Sequence, residues 1–267
     1  MKIRIIHGNP GSENILIPLM GELILRGHIV TEINPDAIIS GAGFSVPEEK
    51  EAWILDIPTV VVVDNWINFK KRFIDGSCLS KICVVDNDAL LNALKDGIPR
   101  DKLEVTGNPH FETILKNRKP RKILFIGEPI TLDYPFGYWG FDEYTTCLSL
   151  INNCGNDVVY YKQHPREKIK AGIRLAFGNT LDIIYDYDIV VGMSSMVLLE
   201  ALMIGRRVIS YMPGLNRENP FILDKKGILK TITNEKELKI QLNGGFEFIP
   251  NSIDNIIKVI QGVASNA

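Results

Sequence analysis

The most constraining feature of this sequence is a regular alternation of short β-branched segments with longer amphipathic segments. Lys2–His7, Thr59–Val63 and Ile82–Val85 are predicted strands, and helices are predicted near 47–55 and 87–95. Strands separated by helices at this spacing predict a parallel sheet with crossover helices.

The alternation is interrupted once and then restarts. The pattern breaks at Gly107-Asn108-Pro109, and residues 113–121 are polar, basic and Pro-interrupted, as suits an interdomain linker. We therefore predict two Rossmann-like α/β domains, 1–112 and 122–267, with parallel sheets facing a cleft. The 267 residues are enough for two domains of about 100–200 residues only if both are small. The basic run also fits contact with phosphates or with a membrane surface.

The second half repeats the alternation without repeating the sequence. Helices are predicted at Glu143–Asn153, Ser194–Ile204 and Ile253–Val263, and a strand at Asp182–Tyr185.

Composition excludes several classes of protein. A hydrophobic content of 45% excludes a disordered chain, and a net charge of −2 removes bulk electrostatic attraction to nucleic acid. The apolar runs are far shorter than the roughly 18 residues that a membrane-spanning helix needs. The first residues are too short and too charged for a signal peptide, so the sequence predicts a cytoplasmic protein.

The cysteines favour free, buried thiols in a reducing compartment. No pair has CxxC spacing and no His lies at zinc-ligand spacing, so we expect no metal site. The four cysteines are Cys78, Cys83, Cys147 and Cys154.

The strongest candidate for a ligand site is the turn after the predicted strand Asp188–Val191. Gly192 and Met193 lead into Ser194 and Ser195, which are predicted to begin a helix. Unpaired N–H groups and the positive dipole at a helix start suit a phosphate. The alternative is an ordinary Ser-capped turn without a ligand.

Glu200 is the only charged residue in the apolar segment that follows this turn. A helix that is apolar on every side is predicted to be buried, and a buried carboxylate is predicted to be paired or functional. From its position, Glu200 is expected to reach the sugar hydroxyls of a ligand whose phosphates lie at the turn. The alternative is that Glu200 faces solvent.

His164 follows the predicted strand Val158–Tyr161 and precedes Pro165. Ligands of open parallel sheets bind beyond the carboxyl ends of the strands, which favours a contact of His164 with phosphate, base or sugar. A purely structural histidine is the alternative.

The loop after the first strand predicts the substrate site of the first domain. It lacks both phosphate-binding glycine patterns, and Gly41-Ala42-Gly43 is too short to count as one. We predict Glu13 as the general base, with Asp64 and His7 as the next candidates. The substrate cleft is predicted to include Gly8, Asn9, Gly11 and Ser12.

These residues together resemble the GT-B superfamily, which contains nucleotide-sugar glycosyltransferases, UDP-N-acetylglucosamine 2-epimerases and polymer transferases that use CDP-linked donors. The motifs that carry the resemblance are Arg26-Gly27-His28, Gly107-Asn108-Pro109, His164-Pro165, Gly192-Met193-Ser194-Ser195, Glu200-Ala201 and Gly205. The resemblance implies that the serine turn holds a diphosphate, that Glu200 binds ribose hydroxyls and that His164 contacts the nucleotide.

One departure from the superfamily pattern bears on the mechanism. Many retaining members carry a Glu eight positions before the ribose-binding Glu, and this chain has Gly192 there. We therefore predict an inverting, metal-independent glycosyltransferase that needs no cofactor besides its nucleotide-diphosphate-sugar substrate. The predicted partner is a sugar or lipid-linked acceptor; peripheral membrane contact and a homodimer stay open.

Two alternative functions also stay open. A nucleotide-sugar 2-epimerase or hydrolase would use the same nucleotide site but needs several acidic groups around the sugar. A non-catalytic subunit that binds a nucleotide sugar needs the site without the catalytic groups.

Overall fold

The computed structural model describes residues 1–43, 46–73, 79–167 and 172–265. The chain divides into two compact units, one formed by Met1–Arg118 with Phe248–Ala267 and the other by Lys119–Glu247. The division after Arg118 lies inside the segment predicted as a linker.

The first unit contains a six-stranded parallel sheet in the order β2-β1-β3-β4-β5-β6. Its strands are β1 (Lys2–Ile6), β2 (Ile29–Val30), β3 (Ala37–Ser40), β4 (Thr59–Val62), β5 (Lys81–Val84) and β6 (Leu103–Val105). Its connecting helices are α1 (Pro10–Leu25), α2 (Pro47–Ala52), α3 (Phe69–Arg72), α4 (Asn87–Lys95) and α5 (Pro109–Asn117).

The second unit contains a five-stranded parallel sheet in the order β11-β10-β9-β7-β8. Its strands are β7 (Lys122–Ile126), β8 (Val158–Lys162), β9 (Ile189–Gly192), β10 (Arg207–Tyr211) and β11 (Thr231–Ile232). Its helices are α6 (Ile130–Asp133), α7 (Glu143–Asn153), α8 (Thr180–Ile183), α9 (Val197–Met203), α10 (Ile222–Lys225) and α11 (Glu235–Leu242).

Two parallel α/β sheets confirm the predicted fold class. The central strands β4 and β9 are buried along their whole length. Crossover helices cover both faces of a parallel sheet, so its inner strands are apolar runs rather than alternating patterns.

The last helix, α12 (Ser252–Ser265), corrects the predicted domain boundaries. The prediction assigned 122–267 to the second domain, but α12 packs against the sheet of the first unit, where Ile256, Ile257 and Ile260 are buried in the core. Ser252 Oγ also donates to Glu112 Oε2 at 2.8 Å. The apolar face of α12 is visible in the sequence, but the sheet that it covers is not.

Two local predictions in the second unit are wrong. The segment predicted as the strand Asp182–Tyr185 is helical: it forms the end of α8 and the start of a 3₁₀ turn over Ile184–Asp186. The side chain of Asn179 accepts a hydrogen bond from the N–H of Leu181 and caps α8. The helix predicted over Ser194–Ile204 begins only at Val197, and Ser194 and Ser195 form a turn whose N–H groups donate to Glu128.

The described cysteines are free and buried, as predicted. Burial raises the pKa of the Cys83 and Cys147 thiols to about 12, and Cys154 is likewise buried. Cys78 lies outside the described residues. Among the residues that the structure describes, no helix is long and apolar enough to cross a membrane.

Candidate functional site

Three loops of the second unit, those after β9, β7 and β8, lie side by side at the carboxyl edge of its sheet. Strand β7 lies between β9 and β8, so the loop after β7 separates the serine turn after β9 from His164 after β8. The carboxyl edge of a parallel sheet is where ligands bind in open α/β folds.

The serine turn surrounds a carboxylate of the chain itself. Glu128 Oε1 accepts hydrogen bonds from the N–H groups of Met193 (3.0 Å), Ser194 (2.8 Å) and Ser195 (3.0 Å). Its Oε2 accepts a further bond from the Ser194 hydroxyl at 2.7 Å. The turn is thus an anion receptor, and its occupant is Glu128.

Sequence analysis did not single out Glu128. Glu128 lies two residues after the end of β7, as Asp64 lies two residues after the end of β4, so a carboxylate close behind a strand end was the available signal. Burial raises the pKa of the Glu128 carboxyl, and the hydrogen bonds from the serine turn act in the opposite direction. The effect of desolvation on the pKa of this carboxyl is therefore larger than the combined effect of its hydrogen bonds.

The helix that follows the serine turn is less buried than predicted. In α9 only Leu198 and Ala201 are buried, while Met203 is 79% exposed. Glu200 is half-buried. The expectation that α9 is buried on every side is therefore wrong, because one face of the helix covers β9 and β10 and the other meets solvent. The ribose contact of Glu200 stays a prediction.

His164 is held in one orientation by its neighbours. The ring Nδ1 of His164 accepts a hydrogen bond from the backbone N–H of Arg166 at 3.2 Å. The backbone N–H of His164 donates to Glu167 Oε2 at 2.8 Å. Because a neutral imidazole with an accepting Nδ1 carries its proton on Nε2, the ring offers a donor on its other side. Burial raises the pKa of the Glu167 carboxyl, which also accepts from the Tyr161 hydroxyl.

A cavity of about 470 Å³ adjoins His164. This volume lies within the range of about 300–1,000 Å³ that is usual for small-molecule sites. Phe177 lines the cavity and is 78% exposed, although the preceding residues are held in place. Ala176 N–H donates to Tyr161 O at 2.9 Å, so the backbone beside Phe177 is fixed to the edge of the sheet.

The predicted loop of the first unit folds around Ser12. The Asn9 side chain accepts from the N–H of Ser12 at 3.0 Å and caps α1, and Asn9 Nδ2 donates to Ser12 Oγ at 2.8 Å. Ser12 is only 4% exposed, so its side chain presents nothing to a ligand, which corrects its assignment to the substrate cleft. Gly8 is exposed and Gly11 is half-buried, and for these, as for Asn9, the prediction stands untested.

The central residue of this loop region is Glu49, which sequence analysis missed. It is fully buried and accepts from Ser12 Oγ at 3.0 Å and from the N–H of Gly43 at 2.5 Å. Burial raises the pKa of its carboxyl. A Cβ at Gly41 would lie 2.6 Å from Glu49 Oε1, so this carboxylate requires the glycine pattern that looked too short to matter.

Of the predicted catalytic residues of the first unit, His7 and Asp64 lie at the carboxyl ends of β1 and β4, and Glu13 lies in the first turn of α1. His7 Nδ1 is 3.7 Å from Glu13 Oε1, and both side chains are partly exposed. Asp64 Oδ1 is 3.8 Å from Arg72 Nη1, and a methyl group on Gly11 would overlap Asp64 Oδ2. Asp64 therefore lies directly against the predicted substrate loop.

Arg72 is a second residue that sequence analysis missed. It is 7% exposed and donates to the carbonyl oxygen of Ala42. Burial lowers the pKa of its guanidinium, whereas Asp64 and Glu49 act to raise it. An acid–base cluster of Glu49, Asp64 and Arg72 thus supports the loops of the first sheet.

The described residues contain no group of three His, Cys, Asp or Glu side chains placed to hold a metal ion. Glu49 and Glu128 instead accept hydrogen bonds from backbone N–H groups and hydroxyls, and Asp64 pairs with Arg72.

No model of a known protein family matches the sequence, and no curated protein matches it. Similar solved structures include S. aureus MnaA in a co-structure with UDP, with a TM-score of 0.43, 11% identity and coverage of 100% of this chain and 97% of that one. The UDP-GlcNAc 2-epimerase from Neisseria meningitidis bound to UDP-GlcNAc has a TM-score of 0.38 and 12% identity, with 100% of both chains covered. The lipopolysaccharide outer core galactosyltransferase WaaB has a TM-score of 0.37 and 13% identity, with 98% and 99% covered.

The second of these structures is named as a UDP-GlcNAc 2-epimerase and the third as a galactosyltransferase. Their TM-scores are below 0.5 and their identities are 13% or less.

Proposed function

We propose that this chain is an inverting, metal-independent glycosyltransferase that uses a nucleotide-diphosphate-sugar donor. The observation that carries the proposal is the convergence of three backbone N–H groups and one hydroxyl on a single carboxylate at the serine turn. Oriented backbone N–H groups of this kind bind phosphate as well as carboxylate.

In the proposed donor complex, the diphosphate occupies the serine turn and the nucleoside extends toward the cavity beside His164. The turn follows β9 and the cavity follows β8, two strand spacings apart, or about 10 Å. Lys162 and Glu167 both line the cavity, so its charge is balanced and suits the uncharged base. Phe177 offers a flat apolar ring on which a base stacks. Glu200 is proposed to bind the ribose hydroxyls.

In the proposed reaction, a carboxylate of the first unit removes the proton of the acceptor hydroxyl as that oxygen attacks the sugar carbon. Glu13 is our first choice for this base, followed by Asp64 and His7. A positioned general base contributes about 10²–10⁴-fold to the rate. The N–H groups of the serine turn and Nε2–H of His164 stabilise the charge that develops on the leaving diphosphate.

The 2-epimerase or hydrolase alternative gains support from one observation. It requires several acidic groups around the sugar, and the structure brings the two predicted carboxylates of the first unit to the same end of its sheet. Asp64 lies against Gly11, and Glu13 lies two residues after Gly11 in the first turn of α1.

The test is a calorimetric titration of UDP-, CDP-, GDP- and dTDP-sugars, followed by NMR of any sugar that binds. Transfer to an added acceptor supports the proposal, and epimerisation or hydrolysis without an acceptor supports the alternative. Binding without turnover identifies a non-catalytic binding subunit. The absence of binding by every donor contradicts the assignment of the donor site.

A further inference from the structure

We infer that Glu128 is an autoinhibitory group, whose carboxylate occupies the anion receptor of the serine turn and must rotate out before the diphosphate of a donor binds. This inference rests on the proposed function and concerns the regulation of the same site.

Glu128 occupies all four hydrogen-bond donors of the serine turn that a phosphate would use. Oε1 of Glu128 takes all three N–H groups of Met193, Ser194 and Ser195, at 2.8–3.0 Å, and Oε2 takes the Ser194 hydroxyl. These distances are those of well-formed hydrogen bonds. A second anion finds no free donor among these groups while Glu128 remains.

The backbone around Glu128 is fixed, so the exchange is a movement of one side chain. Gly127 N–H donates to Lys162 O at 2.8 Å and extends the pairing of β7 with β8. Thr131 N–H donates to the buried Glu143 at 3.1 Å, and its hydroxyl donates to the same carboxylate. Glu128 lies between these two anchors and leaves the turn by rotating about its side-chain bonds.

A diphosphate is better suited than Glu128 to occupy this receptor. Burial raises the pKa of the Glu128 carboxyl despite its four donors, so the receptor does not fully offset the desolvation of this carboxylate. A diphosphate brings more negative charge and more acceptor oxygens to the same donors. Two anions also repel each other, so the carboxylate and the phosphate exclude one another from the turn.

The test measures the binding of inorganic pyrophosphate, which has no base or sugar, by calorimetry. The proteins are the wild type, Glu128→Ala, Glu128→Gln and the control Glu218→Ala. Glu218 is an exposed carboxylate of the same unit, paired with Lys225, and its removal changes the net charge equally. UDP, CDP, GDP and dTDP are titrated into the same four proteins, and circular dichroism verifies their folding.

We expect Glu128→Ala to bind pyrophosphate about ten- to a hundredfold more tightly than the wild type, because pyrophosphate no longer displaces Glu128 from its four donors; the net gain corresponds to about one hydrogen bond to a charged group. Glu128→Gln keeps an acceptor in the turn without its charge and is expected to gain less. Glu218→Ala is expected to stay within twofold of the wild type. If Glu128→Ala does not fold, the gain of Glu128→Gln over Glu218→Ala decides the question.

Two results overturn the inference, and they are distinguishable. If the nucleotides bind the wild type and the Glu128 variants with equal affinity, Glu128 is only a brace of the turn and the proposed function stands. If neither pyrophosphate nor any nucleotide binds the wild type or the variants, the serine turn takes no phosphate and the proposed donor site fails as well.

Discussion

Replacing Phe177 by alanine tests where the base of the donor lies. The ring lines the cavity beside His164 and is 78% exposed, yet its backbone neighbour Ala176 is hydrogen-bonded to Tyr161 O. An apolar ring that is exposed on a rigid segment contributes little to folding, so the substitution removes a ligand contact without removing core packing.

The magnitude follows from stacking. Alanine substitution of an aromatic side chain that stacks on a base costs about 1–3 kcal/mol. At about 1.4 kcal/mol for each factor of ten, Phe177→Ala is expected to weaken nucleotide binding by roughly 5- to 150-fold. The free energy of unfolding is expected to change by no more than about 0.5 kcal/mol, as is usual for surface positions.

The assay is calorimetry with a nucleoside diphosphate that binds the wild type, alongside inorganic pyrophosphate. Phe136 is the matched control, because it is a fully exposed phenylalanine of the same unit outside the cavity. Phe177→Ala is expected to weaken the nucleotide and leave pyrophosphate unchanged, and Phe136→Ala is expected to change neither.

Two outcomes refute this reasoning. An unchanged nucleotide affinity in Phe177→Ala means that the base lies elsewhere. An equal loss for pyrophosphate means that the substitution disturbs the sheet edge rather than a stacking contact.

Three further predictions concern the first unit. Gly41→Ala places a Cβ 2.5 Å from Ser12 Cβ and 2.6 Å from Glu49 Oε1, so we expect urea unfolding to show a loss of about 1–3 kcal/mol from overpacking. Gly21→Ala, whose Cβ meets nothing within 4 Å inside α1, is the control and is expected to stabilise by about 0.5–1 kcal/mol; an equal effect of both variants contradicts the close packing. Because burial raises the folded-state pKa of Glu49, its contribution to stability is complete below the usual carboxyl pKa and is lost as pH rises through the raised value. The stability of the wild type relative to Glu49→Gln should therefore fall as pH rises from about 4.5, and a constant difference would show that the buried carboxyl does not titrate abnormally. Ile256→Ala removes a fully buried side chain of α12 and should cost about 2–5 kcal/mol in thermal or urea unfolding, whereas a loss below 1 kcal/mol would mean that α12 is not part of the first core.

Much of the fold was predictable because its signals are local. Helices α4 and α7 begin and end where the sequence predicted them, since Asp86 and Asp142 cap their first turns and their apolar residues recur with helical spacing. The division of the chain between Arg118 and Lys119 falls in a segment that is polar, basic and interrupted by proline.

The candidate sites were predictable only in part. Strand ends indicated the serine turn, His164 and Asp64, because the carboxyl edge of a parallel sheet follows from the alternation itself. Glu49 and Glu128 were missed because their hydrogen-bond partners are distant in the chain. Glu49 bonds to Ser12, 37 residues away, and Glu128 bonds to the serine turn, more than 60 residues away. No periodicity or spacing records a hydrogen bond between residues so far apart.

The sequence by itself determined the two parallel α/β sheets and the loops at which ligands would meet them. Only the tertiary structure decided that α12 completes the first core rather than the second, and that Ser12 turns inward to Glu49. It also decided that the anion receptor of the serine turn contains Glu128. The physical reason is common to all three: local patterns specify which faces and donors a segment offers, but the long-range fold determines which partner reaches them.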